Sequence, residues 1–251
     1  MPISYPLPSL EELRVNIRRR EFLKATAVVA AFGNLPVGKV FAAEKLKIGM
    51  IGSGNVGSAL GGVWAKAGHQ VMFSSRTIEN DKALAEKLGA SVRAGTPMQA
   101  AAFGEVLVFS VPYRALPELG KSLASSIKGK IVIDACNPFP GRDGEIADWA
   151  RQKGAGIASA ELLPGTRIVR AFNAVGAARM GNVHLEPKRI GMPIAGDDKE
   201  AIEVASRLIQ EIGFEPVLIG GLDRGKFLMP GTPLAGERTP DEIRKIAQTL
   251  K

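Results

Sequence analysis

Cysteine, histidine and aromatic residues are scarce in this chain, and each shortage closes a class of function. The single cysteine, Cys136, excludes an internal disulfide. With only His69 and His184, no His/Cys cluster has zinc spacing. Aromatics make up 6% of the residues and none interleave with a basic stripe, so nucleic acid is not a partner despite a net charge of +8. No apolar run reaches the roughly 18 residues of a bilayer span, so stable membrane insertion is not expected. Tandem repeats and low-complexity tracts are also missing. His69 falls in the turn Gly68-His69-Gln70, where a structural role is expected, and His184 in a polar loop. No Ser/His/Asp or Cys/His set stands out, so no catalytic acid or base is assigned.

A length of 251 residues with 45% hydrophobic content suits one large α/β domain with room for a small appendage. The first 42 residues hold six of the 33 basic and three of the 25 acidic residues, which leaves +5 beyond them. That mild excess would help attract a polyphosphate.

The organising stretch is Lys45 to Arg76. Leu46, Ile48, Met50 and Ile51 form an apolar run suited to a buried parallel strand. Gly52, Gly54 and Gly57 follow at G-x-G-x-x-G spacing. Val56, Leu60, Val63, Trp64 and Ala67 then mark one face of a helix, Gly68 ends it, and Val71 to Phe73 begin a second strand. In such a turn Gly52 reverses the chain, Gly54 leaves space for a pyrophosphate, and Gly57 lets helix and sheet approach. The helix N-terminus then presents N–H groups to the phosphates. The spacing alone is weak in a chain with 29 glycines; its place between strand and helix is what indicates a dinucleotide.

The end of the second strand selects the nucleotide. An NAD site places Asp or Glu there to hold the ribose 2′-hydroxyl. Here stand Ser74, Ser75, Arg76 and Thr77, with no carboxylate before Glu79. Two hydroxyls and a guanidinium suit a 2′-phosphate, so the reading is NADP(H) rather than NAD(H).

Residues 1–43 resemble a twin-arginine signal peptide. Arg19 and Arg20 begin R-R-E-F-L-K, a mildly apolar stretch runs from Ala25 to Phe32, and Val40-Phe41-Ala42-Ala43 offers a cleavage site. The expected domain boundaries are 1–43 for the signal, 44–222 for a Rossmann-like domain, and 223–251 for a C-terminal loop and helix packing on that domain. The resemblance implies the twin-arginine translocase as a partner during export and a periplasmic or extracytoplasmic location.

Past Arg76 the pattern keeps alternating. Helix is expected over Asp81–Leu88, a short strand near Ala90–Arg93, and a helix capped by Thr96 with Pro97 at its first position. Strands are expected over Glu105–Pro112, Lys130–Pro138 and Ile168–Asn173, with helices over Leu116–Ile127 and Glu145–Gln152. Arg189–Ala195 reads as strand, Ala201–Ile212 as helix, Val217–Ile219 as strand, Leu222–Thr239 as loop and Asp241–Leu250 as helix. The fold class is α/β: a Rossmann-like, doubly wound, mainly parallel sheet with helices on both faces. Ser110, Asn137 and Asn173, at strand ends, are candidates to position a ligand; an equal alternative is that they satisfy backbone groups.

KIGMIGSGNVGSAL, FSSRT, VLVFSVP, VIDACNPF, RIVRAFNAV and IAGDDKEA…IGFEPVLIGGL together resemble the coenzyme F420-dependent NADP oxidoreductases. The STEAP reductase domain and, more distantly, pyrroline-5-carboxylate reductase are relatives of that family. The resemblance spans about Lys45 to Leu222. It implies NADP along the strand ends, with a deazaflavin or flavin as second substrate against the nicotinamide. By position, Ser53, Gly54, Asn55 and Val56 resemble the pyrophosphate turn, and Ser75 and Arg76 the 2′-phosphate clamp. Val111, Pro112, Ala135, Asn137 with Pro138, and Ala171, Phe172 and Asn173 resemble the walls near ribose and nicotinamide. The archaeal members carry a second basic residue after the Ser-Arg pair and a lysine beyond; here Thr77 and Asn80 stand there, with Lys82 the nearest substitute. Family members are often homodimers.

Two functions follow. One is an oxidoreductase passing hydride between NADPH and a small-molecule electron acceptor that is flat, such as F420, a flavin or a quinone. The other is an NADP-binding sensor or accessory protein without turnover. N-terminal sequencing of exported protein should begin near Ala43 or Glu44; Met1 on the mature form would contradict the signal.

Overall fold

A computed structural model describes residues 44–183 and 189–250. The signal assigned to 1–43, and His184, lie outside the described residues. Eight strands form a sheet in the order β3-β2-β1-β4-β5-β6-β7-β8. They are β1 (Lys47–Ile51), β2 (Gln70–Ser74), β3 (Val92–Ala94), β4 (Val106–Phe109), β5 (Ile131–Asp134), β6 (Arg167–Arg170), β7 (Gly191–Gly196) and β8 (Glu215–Leu218). β1 to β6 pair in parallel, so their C-terminal ends share one edge. β7 runs antiparallel to β6, and β8 parallel to β7. The sheet is therefore mainly parallel, as the alternation of elements predicts.

Alternation along the strands builds two cores. Val106 and Val108 of β4, with Ile131 and Ile133 of β5, face one layer with Leu60, Trp64 and Leu208. Leu107, Phe109 and Val132 face the other, with Leu116, Leu123 and Ile127. Successive side chains of a strand point to opposite faces, so an unbroken apolar run serves a sheet covered on both sides. The first layer is carried by α1 (Asn55–Lys66) and α10 (Lys199–Ile212). Trp64 Nε1 donates to the Leu208 carbonyl at 2.9 Å, which ties these helices and satisfies the buried indole.

Between them run α2 (Ile78–Leu88), α3 (Pro97–Phe103), α4 (Leu116–Ser122), α5 (Ala124–Ile127), α6 (Pro140–Asp143), α7 (Glu145–Lys153), α8 (Ala155–Leu162) and α9 (Ala177–Met180). Thr96 caps α3 in a reciprocal box with Gln99, and Asp198 caps α10 through the Ala201 N–H. At the other end of α3, Lys130 Nζ donates to the carbonyls of Ala101 and Gly104 at 2.6 and 2.7 Å. α11 (Pro240–Thr249) is capped by Thr239, and its Ile243 joins Ala195, Val217, Leu228 and Leu234 in a small third cluster.

Three expectations need correcting. Leu116–Ile127 is two helices, broken at Leu123, whose φ and ψ of −99° and 1° turn the second segment while Leu123 and Ile127 stay buried. α8 has no counterpart in the sequence reading. Its residues are small, and Gly154 at φ 91° reverses the chain from α7. Gly156 lies so close to the next segment that an added Cβ would sit 2.1 Å from the Leu222 carbonyl oxygen. Packing, not helix propensity, selects these residues. Leu222–Leu228, read as loop, is a 3-10 helix against α8.

His69 has the structural role expected. It is fully buried, its Nδ1 accepts from the Leu46 N–H at 3.0 Å, and its Nε2 meets Glu211 Oε2 at 2.5 Å. Nε2 therefore carries the proton given to Glu211. Burial alone would raise the Glu211 carboxyl, but the His69 hydrogen bond together with nearby positive charges, Arg207 and Lys45 among them, outweighs it and leaves the group below its ordinary value. A carboxyl depressed by folding adds stability above its unfolded pKa and loses it as pH falls through the folded value. Glu211→Gln should therefore be less stable than the unsubstituted chain near neutrality. The gap should close as pH falls from about 5 toward about 3, as measured by urea titration.

Candidate functional site

The first parallel strand leaves the sheet into a turn that only glycine permits. Gly52 has φ 106°, and an added Cβ would lie 2.5 Å from the Ser110 carbonyl oxygen. At Gly57 a Cβ would lie 2.0 Å from the Gly52 carbonyl oxygen and 2.7 Å from Ser110 Oγ. Ser110 Oγ donates to that same carbonyl at 2.7 Å. Gly54 differs: a Cβ there would meet nothing within 4 Å. No packing within the chain explains its small size, and it borders a cavity.

Gly54 is also the N-cap of α1 and provides no side-chain cap, and the first turn holds no acidic residue. Asn55 and Val56 open the helix. Their N–H groups belong to the uncapped first turn of a twelve-residue helix, which favours an anion.

The cavity measures about 750 Å³. Of the residues expected at the site it collects Gly52, Ser53, Gly54, Ser74, Ser75, Arg76, Thr77, Ser110, Val111 and Pro112. The lining also includes Arg114, Glu118 and Leu119, which were not anticipated, because nothing in the sequence marks this segment as bordering the same cavity as the glycine turn. Arg114 is exposed and donates to the Arg142 carbonyl. Asn80 borders the cavity too, whereas Lys82 is exposed and lies outside its lining.

The hydroxyls at the end of β2 are not free. Ser74 is buried and its Oγ donates to the Met50 carbonyl at 2.7 Å. Ser75 Oγ donates to Asp81 Oδ2 at 2.9 Å, and Ser53 Oγ donates to Asp81 Oδ1. Asp81, in α2, is fully buried and joins the glycine turn to the serine loop. A search for a carboxylate at the strand end stops short of it. Its signal was an acidic residue in helical register with Leu84, Ala85 and Leu88, which pack against the core.

Asn55, Val56 and Gly57, in the first turn of α1, are outside the cavity lining, as are the expected residues that follow β5 and β6. Asn137 Nδ2 donates to the Asn173 carbonyl at 2.9 Å, and Asn173 Nδ2 to the Cys136 carbonyl at 3.2 Å. The Oδ1 atoms of both are buried without a partner. Ala135 is buried beside them, and Pro138 is buried as well. Ala171 and Phe172 are not walls of the cavity. They are core residues, with the Phe172 ring edge-on to Trp64 and Phe214 at 6.1 and 6.3 Å. Phe172 takes a left-handed backbone, φ 66°, that sends its ring back into the core.

Behind this edge lies a buried polar network. Arg170 Nη1 meets Asp134 Oδ2, and Nη2 donates to the Cys136 carbonyl at 3.1 Å. Asp134 Oδ1 accepts from the Cys136 N–H at 2.8 Å. Tyr113 OH pairs with Ser159 Oγ at 3.1 Å. Burial, then the Asp134 charge, pushes the Tyr113 phenol above its ordinary value and the Cys136 thiol well above its own. Neither group gives up a proton near neutrality. No group of three or more His, Cys, Asp or Glu among the described residues could hold a metal ion. The two central glycines should respond differently to alanine. Gly57→Ala should cost about 1–3 kcal/mol of stability, and Gly54→Ala less than about 1 kcal/mol, in denaturant titrations.

Residues 47–138 match the family model described as NADP oxidoreductase coenzyme F420-dependent. The F420-dependent NADP reductase of Methanothermobacter thermautotrophicus is 30% identical over 203 residues, spanning 75% of this chain and 87% of that relative. A hypothetical protein from Sinorhizobium meliloti superposes with a TM-score of 0.64 at 26% identity, covering 79% of this chain and 97% of the other. A protein from Arthrobacter sp. FB24, proposed to be an F420-dependent NADP reductase, superposes with a TM-score of 0.63 at 20% identity and 72% and 87% coverage. The Rossmann-like sheet, its glycine turn and this similarity over most of both chains establish that the protein belongs to the F420-dependent NADP oxidoreductase family.

Proposed function

We propose that this chain binds NADP(H) across the C-terminal edge of the sheet and passes hydride between NADPH and a flat acceptor, a deazaflavin of the F420 type, a flavin or a quinone. One observation carries the reading. The uncapped start of α1 and an unfilled glycine open onto a cavity whose lining includes Arg76. The residues present fit the nucleotide. The backbone N–H groups of Gly54, Asn55 and Val56 would hold the pyrophosphate, and Arg76 the 2′-phosphate, where its planar fork and fixed charge suit three phosphate oxygens. Val111 and Pro112 would flank the ribose. The orphaned Oδ1 atoms of Asn137 and Asn173 are acceptors in need of donors, and the amide hydrogens of a nicotinamide would suit them.

When bound, the nicotinamide supplies the hydride chemistry. The chain's own residues need only hold the donor ring and leave one face open to a planar partner. Rate enhancement then comes from placing two carbons in contact rather than from a proton carrier, which agrees with the un-ionised Tyr113 and Cys136. Export by the twin-arginine route and a homodimeric form are proposed on the sequence motif and the family resemblance.

Calorimetry with the two nucleotides tests the binding half. Arg76→Ser should weaken NADPH by about tenfold or more and change NADH by less than about twofold. Turnover is tested by following NADPH oxidation with F420, FMN, FAD, riboflavin and quinones. Binding without oxidation by any of them would replace the enzyme with a non-catalytic NADP-binding protein.

A further inference from the structure

Asp81 is fully buried beneath the cavity, and both of its carboxylate oxygens accept a serine hydroxyl. Ser53 comes from the glycine turn and Ser75 from the loop after β2, and both border the cavity. Ser75 Oγ also accepts from the Thr77 N–H at 3.2 Å, and the Thr77 carbonyl oxygen, likewise at 3.2 Å, is a longer second acceptor for its proton. A hydroxyl has one proton and two lone pairs. Once the proton is held by a carboxylate, only lone pairs remain for a ligand. A dianionic phosphate likewise offers only acceptors, so the two meet with no hydrogen between them. A ribose hydroxyl can donate to the same lone pair. The carboxylate also places a negative charge one hydroxyl away from the loop that carries Arg76.

We propose that Asp81 is a specificity-determining residue that acts through Ser53 and Ser75. By holding their protons it lowers the preference for a 2′-phosphate over a ribose 2′-hydroxyl. The sequence reading, in which both hydroxyls of the loop serve the phosphate, gives way to a division of labour. Arg76 and backbone N–H groups grip the phosphate, and Ser75 is set to accept from a hydroxyl. The site is thereby open to NAD(H) as well as NADP(H). The assignment rests on the dinucleotide reading of the cavity.

The experiment is calorimetry of NADPH and NADH with the unsubstituted full chain, Asp81→Asn and Ser75→Ala, with thermal melts to establish folding. Asn has one accepting oxygen and no charge, so one serine proton is released to the cavity. The ratio of the NADH to the NADPH dissociation constant should rise about fivefold or more, driven by tighter NADPH. Equal weakening of both nucleotides, with the ratio unchanged, would make Asp81 a structural tie alone and overturn the assignment. Ser75→Ala keeps the Asp81 carboxylate with Ser53 as its remaining serine donor and tests the same point if Asp81→Asn does not fold. It should leave NADPH within about twofold and weaken NADH about threefold. A loss of about tenfold for NADPH, with NADH unchanged, would show that the Ser75 proton goes to the phosphate and would overturn the proposal. If the unsubstituted chain binds neither nucleotide, the dinucleotide reading fails and this assignment with it. If it binds and the ratios do not move, the dinucleotide reading stands and only the assignment falls.

Discussion

The candidate site depends on a close approach between Gly57, in the first turn of α1, and the carbonyl of Gly52 after β1. No β-carbon fits between them. This contact brings the start of α1 down onto the sheet edge, and the Ser110 hydroxyl locks the same carbonyl from the neighbouring strand. The position of the exposed N–H groups, and so of any phosphate, depends on that spacing. Gly54 is constrained by nothing inside the chain. Three glycines at one spacing thus serve two purposes: two make the turn, and one leaves room.

A second constraint organises the far end of the edge. Arg170 and Asp134 form an ion pair with neither side chain exposed, and Arg170 also braces the Cys136 carbonyl. A buried pair of this kind is weak evidence for stability, since desolvation offsets much of the attraction. Its geometric effect is clear. It pins the segments after β5 and β6 to each other and leaves two asparagine oxygens buried without donors at the same place. The edge is therefore prepared at one end for an anion and at the other for hydrogen-bond donors. Behind it, burial pushes up both the Tyr113 phenol and the Cys136 thiol.

Much of the fold was legible because periodicity and punctuation agree. Apolar runs of four or five residues, bounded by glycine, proline and capping residues, marked strands that are buried on both faces. Thr96 announced a helix start through side-chain chemistry that acts within four residues, and Asp198 and Thr239 cap their helices in the same way. α8 escaped notice because its small residues have no amphipathic pattern; they answer to the Leu222 backbone, about sixty residues away in the chain. Phe172 was misplaced for a similar reason. Its position at a strand end suggested the ligand edge, while a left-handed backbone turns its ring inward.

What the sequence determined by itself is local. The strand, the glycine turn and the helix, and the hydroxyls and guanidinium after β2, are all properties of neighbouring residues and their spacing. What only the tertiary structure decided is where protons and charges go. Ser75 reads as a phosphate ligand until Asp81, six residues on, is seen to hold its proton, together with that of Ser53 from another loop. The antiparallel course of β7, the wall contributed by Arg114 and Glu118, and the burial of Phe172 have the same origin. Hydrogen bonds and packing join residues by distance in space, and spacing along the chain does not encode which distant partner will be there.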